Sequence, residues 1–488
     1  MNDTFRVKAA DALTLLLITA LSFCYSVYYS NFAKLHIKIP FLDFPIFIGE
    51  IILAFCLFLL TIRLSSTRSK LTRWHYLTMV YLIFVLVKAF LGYAKWGPLA
   101  FRNAAMFYYP LFVVIGYYSF HISFLNNKYA KHLILSLVII TFFLLNPRDS
   151  FRFGYFVLML MFSLQIQNKL LRRIALAFLI PAFTYRLLTL VSRGSLPSIA
   201  ISALFFVTAY LIYFINFRLA YKMTIIIISL VFFSLFAWLV GDRGNIRALF
   251  ALDNYIKSYN QISQKLSSVK EFEFKKMSRK LYGEGDIIQP TNFTKIPAVK
   301  EKSKTSYRPL EMLKLNEFLK SEPSKLHKTV VSGKQAEHEE NTFYTALSNT
   351  LWRVFVWKDM LAEWLENGLI FGCDFGKPFQ SRTVEIMRWS DGAWVGWLEP
   401  HNSYVHIIYR SGIIGFLLTI LLWVVFVKTA KKFIILRSIN GMFLSSILLY
   451  WLCIISFHVV LELPYLAIPF WALLGITLKY SHYLSTNK

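Results

Sequence analysis

His401-Asn402-Ser403-Tyr404 stands at the end of a long polar stretch, and the apolar run that contains Ile407-Ile408-Tyr409-Arg410-Ser411-Gly412-Ile413-Ile414-Gly415 follows at once. An imidazole titrates near neutral pH, so it can take or give a proton. At the mouth of a hydrophobic helix it is placed to handle protons beside a lipid-borne substrate. Asn402 and Tyr404 flank it, and Arg410 lies farther along the same run. Ser192-Arg193-Gly194-Ser195 closes another apolar run, with Arg186 seven residues earlier on the same helical face. A cation inside a span is costly and usually serves a site or pathway; the plainer reading is an arginine snorkelling to lipid phosphates. Arg353 opens an amphipathic stretch, where a lone arginine is ordinarily a solvated one. Gly368-Leu369-Ile370-Phe371-Gly372-Cys373-Asp374-Phe375-Gly376 reads as a glycine-punctuated turn.

These residues need elements to hold them, and composition says of what kind. The chain has 488 residues, 57% of them hydrophobic, which exceeds what soluble domains carry. Apolar runs long enough to cross a bilayer lie near 12–30, 41–62, 74–92, 104–123, 133–146, 151–167, 171–191, 196–215, 223–241, 402–427, 442–460 and 464–481, twelve in all. The expected fold is an all-α polytopic membrane protein of about twelve transmembrane helices. Its net charge of +27 suits the loops of a membrane protein better than nucleic-acid binding, since no basic stretch sits on a recognisable reading module. Nineteen Lys and Arg fall in the loops of one side and seven in the short loops of the other. The positive-inside rule makes the richer side cytoplasmic. Both termini are then expected inside and the loop 242–400 outside. The four cysteines show no zinc or disulfide spacing.

Three regions follow: a membrane domain over 1–241, the outer loop over 242–400, and a second membrane domain over 401–488. Within the loop, 257–340 is Lys-rich and aperiodic, as loosely ordered chain is. The part over 341–400 is expected to be ordered and apposed to the membrane. There, Trp357, Met360, Leu361, Trp364 and Leu365 repeat at helix spacing and Gly368 supplies the stop. Six of the twelve Trp residues fall between Trp352 and Trp397, which suits anchoring at headgroup level. An outward loop cannot reach cytoplasmic nucleotides, and it holds no phosphate-cradling Gly-rich motif.

Taken together, Ser192–Gly194, Arg353 with Trp357, Gly372 with Gly376, His401-Asn402 and Gly412-Ile413-Ile414-Gly415 resemble the motifs of the O-antigen ligase/polymerase family of bacterial membrane glycosyltransferases. The resemblance covers roughly Arg186 to Leu422. Three features depart from the family pattern: the commoner Gly-x-Gly turn becomes Gly372-Cys373-Asp374-Phe375-Gly376, the loop between Lys257 and Glu340 is long and Lys-rich with no family counterpart, and Arg410 stands where a neutral or acidic residue is expected.

The resemblance implies transfer of a glycan from undecaprenyl diphosphate to an acceptor hydroxyl at the outer face of the cytoplasmic (inner) membrane. Guanidinium groups hold phosphate oxygens in a fixed fork and keep their charge. Arg193 and Arg353 are therefore expected on the diphosphate, with Arg186 in support. His401 is expected to take the hydroxyl's proton, with Asn402 orienting the ring or a sugar. Tyr404 and Arg410 are further substrate-binding candidates. No cofactor and no metal is expected. The acceptor stays open among another lipid-linked glycan, lipid A–core and a protein hydroxyl. The competing class is a twelve-span polysaccharide or lipid-linked glycan transporter, for which Glu50, or Glu462 with His458 four residues before it, would carry protons.

Overall fold

The structure is a computed structural model that describes residues 3–38, 45–67, 73–121, 128–145, 147–170, 172–178, 181, 196–214, 353–354, 356–379 and 400–486. Arg186 and Arg193 lie outside the described residues, as do the Lys-rich stretch 257–340 and the expected span 223–241. The described residues belong to one compact unit.

That unit is helical almost throughout. α1 (Asp3–Tyr28) and the single turn α2 (Ser30–Ala33) lead into a two-residue hairpin, β1 (His36–Ile37) with β2 (Ile46–Phe47). Next come α3 (Ile48–Thr67), α4 (Arg73–Trp96), α5 (Leu99–Tyr108) and α6 (Leu111–Ser119). α7 (Lys128–Ile140) runs into a π turn at Thr141–Leu145, and α8 (Asp149–Leu164) and α9 (Leu196–Phe214) follow. Beyond the undescribed stretch are α10 (residues 356–367), α11 (Ser403–Ile435), α12 (Ile439–Ile455) and α13 (Pro464–Thr486).

Five stretches among the described residues are long and apolar enough to cross a membrane: Val7–Tyr28, Ile48–Ser66, Thr78–Trp96, Leu99–Ser119 and Ser403–Ile435. Their outward faces say the same. Ile83, Leu86, Val87, Phe90 and Leu91 stand exposed on α4, and Ile413, Phe416, Leu417, Ile420, Leu421 and Val424 on α11. Continuous apolar ridges of this kind belong against lipid. The chain is an all-α membrane protein.

α12 is apolar on every face, and it is buried on nearly every face. A helix of that kind sits inside a bundle; here it packs against α8, α9, α11 and α13. α6 and α13 make the closest crossing. A Cβ on Gly475 would lie 2.1 Å from Val113 O, and one on Gly116 would lie 2.6 Å from Ala472 O. Small residues let two membrane helices meet backbone to backbone.

Several expected boundaries move. Among the described residues of the run 41–62, helix begins only at Ile48. Ile46 and Phe47 pair with the hairpin's first strand, and the Ile48 N–H donates to Leu35 O at 2.9 Å. The expected span 104–123 starts earlier, at Leu99, and is interrupted at Tyr109-Pro110, where proline lacks the N–H that would continue α5. The span expected over 442–460 stops at Ile455. The N–H groups of Val460 and Leu461 turn instead to the Ser403 hydroxyl, at 2.9 and 3.1 Å. His458 and Glu462 are therefore not one turn apart on a helix; both lie in the link between α12 and α13.

Candidate functional site

α11 is two helices. At Gly412 the backbone leaves the helical region, with φ 64° and ψ −142°. Ser403–Ser411 forms a short leading segment, and the chain from Ile413 onward is the long apolar one. The break is filled by the turn over 368–376. The Ile413 N–H donates to Leu369 O at 3.0 Å, and the Cys373 N–H to Tyr409 O at 2.7 Å. A Cβ on Gly412 would stand 2.4 Å from Ile370 O, and one on Gly372 2.3 Å from Arg410 C. Both glycines also sit at positive φ, so other residues are barred twice over. The Lys88 ammonium, within α4, donates to Phe371 O, Gly372 O and Arg410 O. Backbone carbonyls left open by a broken helix must find donors when no water is near. Lys88 is that donor.

The leading segment carries a row of polar side chains at helical spacing: Ser403, His406 and Arg410. All three are buried. The Ser403 hydroxyl donates to Glu462 Oε2. The other oxygen, Oε1, faces His406 Nδ1 at 2.8 Å. Arg410 Nε donates to His406 Nε2 at 3.3 Å. An arginine cannot accept a hydrogen bond, so Nε2 is the acceptor and the proton of the neutral ring is on Nδ1, directed at the carboxylate. The remaining Arg410 nitrogens are committed to backbone: Nη1 to Asp374 O and Nη2 to Lys377 O, each at 2.6 Å. The result is a chain of cation, imidazole, carboxylate and hydroxyl that ends two residues from His401.

α10 brings the remaining parts together. The Trp357 indole N–H donates to Pro400 O at 2.6 Å, which fixes the residue before His401. Glu363 accepts from the Lys377 ammonium at 2.6 Å and from the Tyr409 hydroxyl at 2.7 Å, tying α10 to the turn and to α11. The first residue of this stretch, Arg353, reaches Phe457 O at 3.4 Å through Nη1.

His401 itself has φ 53°, a conformation that side-chain-bearing residues seldom adopt. Such strain persists only where the surroundings over-determine it, and it collects at functional sites. Burial, then the Arg353 guanidinium and His458, push the imidazole down to about 4, while the Glu462 carboxylate pulls the other way. Arg353 is itself lowered from its ordinary value by burial.

The structure thus brings His401 and Arg353 to one place. Asn402 is at that place too, but its side chain caps α11 by accepting from the Val405 N–H at 3.1 Å. The Tyr404 hydroxyl points away to Leu452 O on α12, at 2.9 Å. Arg410 is fully buried, with its guanidinium turned to protein groups. In comparisons with protein-family models and with curated proteins, nothing matches the chain. The geometry therefore speaks for itself. Among the described residues, no three His, Cys, Asp or Glu side chains converge as a metal site would require. What does converge is a cation, a neutral imidazole at a strained backbone position, and a buried carboxylate behind it.

Sequence reasoning missed Ser403, His406 and Lys88 as working parts, and it did not see that Glu462 takes Ser403 and His406 as partners. The spacing of Ser403, His406 and Arg410 was a usable signal: three polar residues on one face of an apolar helix require internal partners. Lys88, a lone cation amid apolar residues on α4, is a second.

Proposed function

We propose that the chain is a membrane glycosyltransferase that moves or polymerises a glycan from undecaprenyl diphosphate onto an acceptor hydroxyl at the outer face of the cytoplasmic membrane. The observation that carries this reading is the meeting of His401 and Arg353 at the head of an apolar helix, from positions on either side of an undescribed stretch. The reading includes twelve spans, cytoplasmic termini and an outward loop. Arg353 binds the donor's diphosphate and stabilises the charge that builds there as the glycosidic bond breaks. Arg193, with Arg186, supplies a second guanidinium from the outer end of its span. His401 accepts the proton of the attacking hydroxyl, and attack opposite the diphosphate inverts the anomeric centre.

A base held near 4 is weak at neutral pH. Burial is the first cause of that depression and the Arg353 guanidinium the next. An anionic diphosphate beside Arg353 would offset the second of these.

A carrier is the second reading. Glu50, on α3, accepts from the Tyr108 and Tyr109 hydroxyls at 2.8 and 2.6 Å. Its second oxygen, Oε2, is buried with no hydrogen-bond partner, as a proton-carrying acid in a pathway can be. Proteoliposomes loaded with radiolabelled lipid-linked glycan separate the two. A new glycosidic bond supports the transferase; movement of label across the bilayer with no bond formed replaces it with the carrier.

A further inference from the structure

We infer that the turn over 368–376 is a re-entrant element whose tip, Leu369-Ile370-Phe371, is seated among the acyl chains of the bilayer. The segment runs down the flank of α4 in a fixed register. A Cβ on Gly376 would stand 2.8 Å from Trp96 Cβ and 2.8 Å from Ala100 N. Asp374 pairs with Lys95 at 3.1 Å. A Cβ on Gly92 would stand 2.5 Å from Phe375 O. The Lys88 ammonium takes Phe371 O and Gly372 O, and the Phe371 ring lies 6.3 Å from that of Phe84. Going back from residue 376 to 371, the chain therefore passes from Trp96 to Phe84. Those two residues are twelve apart, which is about 18 Å of helix and more than half of the roughly 30 Å hydrocarbon core. The Trp96 end is the polar level, because the Lys95 and Asp374 side chains stay exposed there as a charged pair.

The two sides of the segment differ as such a placement requires. Its backbone is turned to protein: Leu369 O accepts from the Ile413 N–H, Phe371 O and Gly372 O from Lys88, and Asp374 O and Lys377 O from Arg410. Irregular backbone is tolerated at membrane depth only when its polar groups are met in this way. Its side chains are turned outward, with Ile370 58% and Phe371 60% exposed and Leu369 exposed beside them. The tip also joins two ridges that already face lipid. Leu369 is bonded to Ile413, where the exposed ridge of α11 starts, and Phe371 packs on Phe84 beside the exposed Ile83 and Val87 of α4. Three successive large apolar side chains that continue a lipid-facing surface take the same occupant as that surface. The inference holds whether the chain transfers a glycan or carries one.

The test uses the full-length protein in lipid nanodiscs with a nitroxide label at Ile370→Cys. It reads how often the label meets molecular oxygen, which concentrates in hydrocarbon, and a water-soluble nickel chelate. Labels at Leu86→Cys, on the exposed face of α4, and at Ala94→Cys, beside the Lys95–Asp374 pair, give the two reference levels. The parent chain, labelled only at its native thiols, gives the background. The Ile370→Cys label is expected to match Leu86→Cys, with an oxygen-to-nickel ratio several-fold above that at Ala94→Cys. A label that nickel reaches as readily as it does at Ala94→Cys overturns the inference, because the tip is then in water. A label that neither reagent reaches overturns it as well, because protein then covers the tip. If Ile370→Cys does not accumulate in the membrane, Leu369→Cys takes its place, with the same expected and overturning results.

Discussion

Two clusters in this molecule combine the same three kinds of group, a carboxylate, an imidazole and a guanidinium, and do different things with them. Near the N-terminal end of α1, Asp11 receives Arg63 on one oxygen at 2.9 Å and His121 on the other at 2.7 Å. Arg63 also lies over the Tyr118 ring, and Lys479, near the C-terminal end of α13, lies over neighbouring Tyr117. At the opposite end of α13, Glu462, His406 and Arg410 form the second cluster. In the first, the carboxylate is central and the chain of contacts closes on it. His121 keeps about half its surface in the open, 49%. In the second, the imidazole is central and every member is buried. A central carboxylate makes a clasp between helices. A central imidazole has one direction, from cation to anion. The arrangement of the same charges, more than their identity, separates a fastening from a site.

The largest expected effect is on turnover. His401→Ala should reduce glycan transfer by about 10²–10⁴-fold, the range a general base supplies, while His121→Ala in the other cluster leaves the rate within about twofold of the parent. A liposome assay on both variants reads the contrast, and equal losses would erase the distinction between the clusters. Stability comes next. Arg410→Ala leaves a buried carboxylate–imidazole pair and two backbone carbonyls without their cation, at a cost of about 3–5 kcal/mol. Arg63→Ala leaves Asp11 with its half-exposed histidine partner, and should cost about 1–2 kcal/mol. Thermal or denaturant unfolding in nanodiscs gives the order, and the reverse order would mean that the more open cluster is the structural one.

A smaller effect is expected from pH. His401 titrates lower in the folded protein than the unfolded imidazole, whose value is about 6.5. Between about 6.5 and about 4 the unfolded chain therefore binds more protons, so stability rises with pH across that window and is lost on acidification. His401→Gln should flatten this part of the stability profile, and a profile that keeps its slope would assign it to another group. The least effect comes from the helix caps. Asn402→Ala and Ser438→Ala each remove an N-cap acceptor, on α11 and α12, and each should cost about 1 kcal/mol. Only the first should disturb His401, visible as a changed histidine resonance.

Much of the fold was readable before any coordinates. Runs of apolar residues marked α1, α3, α4 and α11, because a helix that faces lipid needs no other pattern, and α12, which is apolar all round because it is enclosed by other helices. What hid from that reading were the breaks. Nothing in the run 442–460 announces that its helix stops at Ile455 and that the N–H groups of Val460 and Leu461 will meet a serine hydroxyl on another helix. Gly412 stood in the open as part of a recognisable step, but a glycine inside an apolar run is as compatible with close helix packing as with a break. Of the site, His401 was legible as an imidazole at the mouth of an apolar run, whereas Arg353 was picked out only through the family resemblance. Glu462 was noticed as an acid in apolar surroundings, but its bonds to Ser403 and His406 cross from one helix to a link more than fifty residues on, and no local spacing announces them. Arg410 spends two of its nitrogens on the carbonyls of Asp374 and Lys377, and backbone acceptors leave no trace in a sequence.

Lys88 has one more implication. Its ammonium serves carbonyls from two distant stretches of chain, at a point ten residues into the stretch Thr78–Trp96. In solution, a helix interrupted as α11 is at Gly412 would be mended by water. Here one charged side chain does the mending, so the bilayer's dryness beside the break is a property of a single lysine, and a neutral residue there would have to admit solvent in its stead.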